Sequence, residues 1–217
     1  HYQATNMRLE GTGSRYTVVR HGVPQGDIHI HMLGRHNVLN SLAAVVLGME
    51  LGIPFPEIAA ALESFSGVDR RFSIRGEAAG VLVVDDYAHH PTEIAATLSA
   101  ARQGYPQHRL WAVLQPHRYT RVQALFTEFG RAFFAADEVV ITDIYSAGEA
   151  AIPGINSQAL AESISRLSNK KAVAVGDLDA TLEHLASRLE PGDLVLMLGA
   201  GSITSLSRRL LERLRTS

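Results

Sequence analysis

The sequence predicts an α/β protein: a mostly parallel sheet with helices on both faces, preceded by a β-meander and two helices. Three observations predict it. From about residue 72 short, continuous apolar runs alternate with longer segments of helical period, as expected for parallel strands buried on both faces. Before residue 34 the pattern differs, with strand-like runs separated by glycine-rich turns. The chain has 217 residues, 46% hydrophobic and 19% charged, an ordinary globular composition large enough for one large domain or two small ones.

In order, Met7-Arg8-Leu9-Glu10, residues 15–20 and residues 27–33 are strand-like. Gly11-Thr12-Gly13-Ser14 and Gly22-Val23-Pro24-Gln25-Gly26 supply the turns between them. Three short strands bury little surface alone, so this meander is expected to be the edge of a sheet whose remainder lies outside the sequence. Residues 36–51 carry Val38, Leu39, Leu42, Val45, Val46 and Met49 at helical spacing, and Gly52 and Pro54 supply a stop. Residues 56–65 predict a second, shorter helix. The character changes at Gly67-Val68-Asp69-Arg70-Arg71-Phe72. Ala79-Gly80 separates strand-like residues 71–78 and 81–85, which predicts a hairpin. Strands follow over 110–114, 138–142, 172–175 and 194–198. Helices are predicted over 92–103, 122–134, 157–167, 178–189 and 202–214. Repeated β–α units of this kind make a Rossmann-like domain, and its boundary falls near Arg71.

The net charge of −2 offers no bulk attraction to nucleic acid or to an anionic membrane, so neither is an expected partner. There is no cysteine, which removes disulfides and thiolate metal sites and suits a cytoplasmic protein. No apolar run approaches about 20 residues and no signal peptide is evident. The first residue is His1 rather than Met, so a fragment or processed product is expected.

The chemistry gathers in two segments, Asp85-Asp86-Tyr87-Ala88-His89-His90-Pro91-Thr92-Glu93 and Gln115-Pro116-His117-Arg118-Tyr119-Thr120-Arg121. Each follows an apolar run and precedes a helix, which puts both at carboxyl ends of strands, where open α/β sheets bind ligands. Cations are disfavoured at a helix N-terminus, so placing His117, Arg118 and Arg121 there makes sense if an anion occupies the site. The alternative is ion pairing with Glu93 or Glu128. Asp85 and Asp86 could hold a ribose hydroxyl, contact a metal-bound phosphate, take a proton, or cap the next helix, where Thr92 competes. Adjacent histidines rarely chelate one ion, and third and fourth ligands are lacking at standard spacing, so no metal site is expected at His89-His90. In Gly34-Arg35-His36-Asn37-Val38-Leu39-Asn40 the two asparagines share a helix face, and either cap the helix or address the edge of a base. Arg70-Arg71 reaches a phosphate or makes a hinge ion pair. Gly199-Ala200-Gly201-Ser202 is either an anion turn or a tight strand-to-helix turn.

Six ordered stretches together resemble the Mur ligases: residues 34–40, 65–72, 85–93, 115–121, 143–149 and 199–201. Within that family the resemblance is to the members that join L-alanine to UDP-N-acetylmuramate. It implies three domains, and a reaction in which ATP and magnesium turn the muramyl carboxylate into an acyl phosphate that the amine attacks. It also implies that residues 1–71 are the end of the central ATP-binding domain and residues 72–217 the C-terminal Rossmann-like domain. Carried over residue by residue, Asn37 and Asn40 contact ATP near the adenine, and Arg71 contacts nucleotide at an interdomain hinge around residues 67–72. Asp86, Tyr87 and His89 close over nucleotide and substrate, with Arg71, Asp86 and His89 given the catalytic roles. His117, Arg118 and Arg121 form the amino-acid pocket, with the arginines on the carboxylate.

Two departures qualify the resemblance. The family's P-loop has no counterpart, since no Gly-Lys-Ser or Gly-Lys-Thr occurs, and the magnesium ligands and UDP-binding domain are absent with it. The fragment alone is therefore expected to be inactive. Ala88 stands where Gly is expected. The near rival is the recycling ligase that adds a tripeptide to UDP-N-acetylmuramate. Tyr87, residues 143–149 and the Gly199-Ala200-Gly201 ending favour the alanine enzyme. Folylpolyglutamate synthases share the fold but match less well. A non-catalytic anion-binding module and a nicotinamide-dependent dehydrogenase are the rivals from other classes, and the second lacks a dinucleotide fingerprint.

Overall fold

The computed structural model of the chain describes residues 1–10 and 13–216. It divides into two compact units, one of His1–Asp69 with Ser99–Pro106, the other of Arg70–Leu98 with Gln107–Ser217.

In the first unit β1 (Tyr2–Glu10), β2 (Gly13–Arg20) and β3 (Val23–Ile30) form an antiparallel meander in that order, followed by α1 (Arg35–Glu50) and α2 (Phe55–Ser64). Tyr16, Val18, Ile28 and Ile30 alternate onto one face and meet Val38, Val45 and Ile58 of the helices. Two expectations are corrected. β1 begins at Tyr2, not Met7, because a bulge between Thr5 and Arg8, with Asn6 at φ 51°, breaks the alternation that marks a strand. The second turn is His21-Gly22 alone, both at positive φ, and Val23–Gly26 belongs to β3. Pro24 is tolerated there because β3 is an edge strand of this sheet and needs no donor at that position. The strand ends at Ile30, so residues 31–33 lie beyond it. The Gly11-Thr12 part of the first turn lies outside the described residues.

The second unit runs β4 (Ser73–Ala78), β5 (Val81–Asp86), the first part of α3 (Pro91–Gly104, counted in this unit up to Leu98), β6 (Arg109–Leu114), α4 (Tyr119–Ala124), α5 (Phe126–Gly130) and β7 (Glu138–Thr142). It continues through α6 (Ser157–Ser168), β8 (Lys171–Gly176), α7 (Leu178–Ala186), β9 (Asp193–Leu198) and α8 (Thr204–Arg215). The sheet order is β4-β5-β9-β6-β7-β8, parallel except for β4. Ala79 and Gly80, at φ 50° and 73°, make the expected two-residue hairpin turn. Every residue of β9 is buried, which explains its unbroken apolar run at the sheet's centre. On one face Val83, Trp111, Val113, Val140, Val195 and Met197 pack with Leu182, Leu185, Leu206 and Leu210 of α7 and α8. On the other, α6 packs on β7 and β8.

The helix expected over 122–134 is two short helices. Leu125, at φ −117° and ψ 24°, separates α4 from α5. Val122, Phe129 and Phe133 are buried on both sides of the break, so the apolar period keeps its phase across it and conceals it. Strand register puts Asp86, Leu198, Leu114 and Ile141 level with one another. The loops after β5, β6, β7 and β9 therefore open on one edge of the sheet.

Candidate functional site

At that edge four rings form a row. Tyr87 lies edge-on to His89 with centroids 5.1 Å apart, His89 edge-on to His117 at 5.9 Å, and His117 stacks on Tyr145 at 5.5 Å. The Arg70 guanidinium sits 5.0 Å from the Tyr87 ring centre. Backbone bonds carry the sheet past its last formal residues: Arg118 N donates to Tyr145 O at 2.9 Å, and Tyr145 N donates to Pro116 O at 2.8 Å. Side chains from three separate loops are thus set on sheet-like backbone.

His117, Arg118 and Arg121 come together at the start of α4. Arg118 takes the position before the helix at φ 68°, left-handed backbone for a non-glycine residue. Arg121 Nη1 lies 3.3 Å from His117 Nδ1. A guanidinium only donates, so Nδ1 accepts and the neutral ring carries its proton on Nε2. Burial, followed by the charges of Arg121, His89 and Arg118, holds the His117 pKa below its ordinary value. Among the described residues neither Arg118 nor Arg121 makes an ion pair. The nearby Glu149 carboxylate is engaged with Thr120: it accepts from Thr120 N (3.0 Å) and Thr120 Oγ1 (2.7 Å), and these bonds, followed by the Arg118 charge, hold its pKa low. The cluster is cationic, partly desolvated and short of an anion.

His89 and His90 divide their roles. His90 caps α3 with its carbonyl, taking Ile94 N at 3.0 Å, and its Nδ1 accepts from Thr92 N at 3.3 Å. Glu93 Oε2 reaches back to His89 N (3.1 Å) and His90 N (3.2 Å), the glutamate half of a capping box, while the His90 ring takes the second helical N–H rather than the third. Thr92 is therefore not the cap. His89 Nδ1 lies 2.9 Å from Tyr87 O. A carbonyl only accepts, so Nδ1 carries a proton, and in the neutral ring Nε2 is left as an acceptor.

Both aspartates are enclosed. Asp86, 4% exposed, accepts from Ala88 N (2.8 Å), Phe72 N (2.9 Å) and Thr97 Oγ1 (3.2 Å), while burial raises its pKa. It ties the residues leading into β4, the β5 exit loop and α3 together, and acts on the site through them. Asp85 takes Arg75 (2.8 Å), Thr204 (2.7 Å) and Arg70 Nε (3.3 Å), and Arg70 also donates to Gly199 O at 2.5 Å. The two arginines thus separate: Arg70 braces the strand ends, while the Arg71 side chain stays 47% exposed with Glu93 at 3.8 Å.

In the first unit neither asparagine caps α1. Gly34 takes the cap position without a side-chain bond, Asn37 Nδ2 donates to Leu33 O at 2.9 Å, and Asn40 is exposed one turn on. The Gly199 to Ser202 segment is a tight turn. Gln115 Oε1 already accepts from Ile203 N at 3.0 Å, and a Cβ on Gly201 would meet Tyr145 Cγ at 2.9 Å. Among the described residues no three His, Asp or Glu side chains converge to hold a metal. Reasoning from the sequence left Arg70 between a phosphate contact and a hinge ion pair, and the structure gives the ion pair, with Asp85; it assigned no role to Tyr145 or Glu149. The last two lie in residues 143–149, whose distinctiveness was the available signal.

Residues 70–201 match the family described as Mur ligase, glutamate ligase domain. The UDP-N-acetylmuramate–L-alanine ligase of Geobacter sp. (strain M21) is 46% identical over 216 residues, covering 100% of this chain and 47% of that protein. The ligase of the same name from Oleidesulfovibrio alaskensis is 48% identical, covering 93% of this chain and 44% of that one. The crystal structure of UDP-N-acetylmuramate-alanine ligase from Thermotoga maritima is similar at TM-score 0.82 and 30% identity, over 99% of this chain and 46% of that one. A murein peptide ligase from Psychrobacter arcticus follows at TM-score 0.69 and 25% identity, over 100% and 44%. The chain spans about half the length of the curated relatives it matches.

Proposed function

Because this chain belongs to the Mur ligase family, we propose that it is part of an ATP-dependent ligase that joins L-alanine to UDP-N-acetylmuramate in the cytoplasm, in peptidoglycan precursor synthesis. Residues 1–71 are read as the end of the central ATP-binding domain and residues 72–217 as the C-terminal domain. The observation that carries the reading is the cluster of Arg118 and Arg121 with the neutral His117 at the carboxyl end of β6, whose two arginines make no ion pair among the described residues. It suits the carboxylate of an incoming amino acid, and the two curated relatives named above are alanine ligases.

Bound ATP supplies the phosphoryl group that activates the muramyl carboxylate. The chain's own residues do the rest. Arg118 and Arg121 take the amino-acid carboxylate in paired hydrogen bonds and so orient its amine. His89, with Nδ1–H committed to Tyr87 O, offers Nε2 as the acceptor for a proton leaving that amine. Tyr87, partly exposed at the end of the row, covers the site. Arg71, exposed and only loosely held by Glu93, is the cation available to a phosphate, and Asn40 is the exposed amide on α1. Magnesium finds no ligand set among the described residues, so none is assigned here. The 217 residues contain no P-loop, and by themselves they are not expected to turn over ATP.

The similarity to a murein peptide ligase keeps one rival, the tripeptide-adding enzyme. Phosphate release by the ligase carrying these residues, with UDP-N-acetylmuramate and either L-alanine or the tripeptide, separates them. Turnover with L-alanine is expected. Turnover with the tripeptide alone would replace the proposal with the rival.

A further inference from the structure

Residues 143–149 have no part in the chemistry above, yet Tyr145 touches the cluster that does. Its ring lies within 14° of parallel to His117, and its backbone is bridged to residues 116 and 118. At Gly201 a Cβ would stand 2.9 Å from Tyr145 Cγ and 2.6 Å from Gln115 Oε1, so only glycine leaves room for the ring. Gln115 cannot easily yield, because it holds Ile203 N at 3.0 Å and Ser202 Oγ at 3.1 Å. The ring is fixed by its backbone, by His117 and by this turn. His117 in turn offers Nδ1 to Arg121 at 3.3 Å.

We propose that Tyr145 is a positioning residue for the amino-acid carboxylate: its stack fixes the plane of the His117 ring, and His117 Nδ1 fixes the Arg121 guanidinium. The proposal rests on the reading of Arg118 and Arg121 as the L-alanine carboxylate site. It also gives the Gly199-Ala200-Gly201 turn a purpose, since the missing Cβ at Gly201 is the space the Tyr145 ring uses. The hydroxyl of Tyr145 makes no hydrogen bond among the described residues, so the stack alone carries the effect.

Three variants test it, Tyr145→Ala, Tyr145→Phe and Gly201→Ala, each with two readouts. The first is the His117 ring, followed by nitrogen-resolved NMR in the 217-residue chain without ligand. The second is the KM for L-alanine and for ATP in the ligase carrying these residues. Tyr145→Ala is expected to erase the preference for the Nε2–H form of His117. It should also raise the L-alanine KM about three- to tenfold, the worth of one aromatic pair, with the ATP KM unchanged. Gly201→Ala displaces the ring and should act in the same direction, while Tyr145→Phe keeps the stack and restores both readouts. An unchanged His117 ring and L-alanine KM in Tyr145→Ala would overturn the proposal. So would equal increases in both KM values, or a phenylalanine variant as impaired as the alanine one. A parent ligase that never uses L-alanine would overturn the substrate reading, and the ring measurement distinguishes that failure from this one.

Discussion

Replacing Asp86 with asparagine tests how the site's framework is held. The carboxylate is 4% exposed and accepts from Ala88 N on one oxygen and from Phe72 N and Thr97 Oγ1 on the other. Asparagine supplies one acceptor oxygen and one NH2 group, so one of the two backbone N–H groups must face a donor. Thr97 can turn its hydroxyl to accept and escapes the loss. The cost is then that of one buried donor left unpaired, about 1–3 kcal/mol, reduced by no longer burying a charge. Asp86→Ala leaves all three donors without their acceptor and should cost more than Asp86→Asn. Urea unfolding of the 217-residue chain at neutral pH measures both. A change below about 0.5 kcal/mol for either variant, the range of ordinary surface substitutions, would refute the reasoning. Burial raises the Asp86 pKa above its ordinary 3.8, so the folded chain binds this proton more tightly than the unfolded chain. That contribution is complete below 3.8 and is lost as pH rises through the folded value. The stability gap between wild type and Asp86→Asn should therefore narrow with rising pH across that window.

Further outcomes are expected. Arg70→Ala breaks the bonds to Asp85 and Gly199 O and should lower stability by about 1–3 kcal/mol in thermal or urea unfolding. Arg71→Ala, at an exposed side chain, should stay within about 0.5 kcal/mol in stability while weakening nucleotide use by the ligase. The His117 pKa is held down by burial and by Arg121, His89 and Arg118, and that of His184 by burial and by Arg188 and Lys171. Each therefore contributes stability that is present above the ordinary value of 6.5 and lost as pH falls through the folded one. Stability should fall less steeply as pH drops below 6.5 in His117→Gln and His184→Gln, and least in the double variant. An unaltered slope in the double variant would contradict this.

Most of the second unit was legible because buried parallel strands write themselves as apolar runs. The strand over 138–142 coincides with β7, and the runs at 110–114 and 194–198 fall within β6 and β9. Misreadings arose where a local device broke the period without breaking composition. The bulge at Asn6 hid half of β1, the edge position made Pro24 acceptable inside β3, and Leu125 divided a helix whose apolar phase continued. In the site, the charge argument at a helix start identified His117, Arg118 and Arg121 together, because it concerns one short segment. Which of two neighbours does what was not legible. His90 rather than His89 caps α3 through its neighbours Thr92, Glu93 and Ile94, a choice that rests on where the first helical turn begins. Arg70 rather than Arg71 braces the strand ends because distant partners, Gly199 and Asp85, decide it. Tyr145 was missed for the same reason: its partner His117 is distant in sequence and joined to it only by strand order.

The most direct test of the account is the L-alanine dependence of phosphate release by the ligase carrying these residues, compared between wild type and the Arg118→Ala, Arg121→Ala double variant. The account predicts at least about a tenfold rise in the KM for L-alanine, the loss of a charge-assisted contact, with the KM for ATP unchanged. An L-alanine KM equal to that of the wild type would contradict it, because the cationic cluster after β6 would then have no part in holding the amino acid.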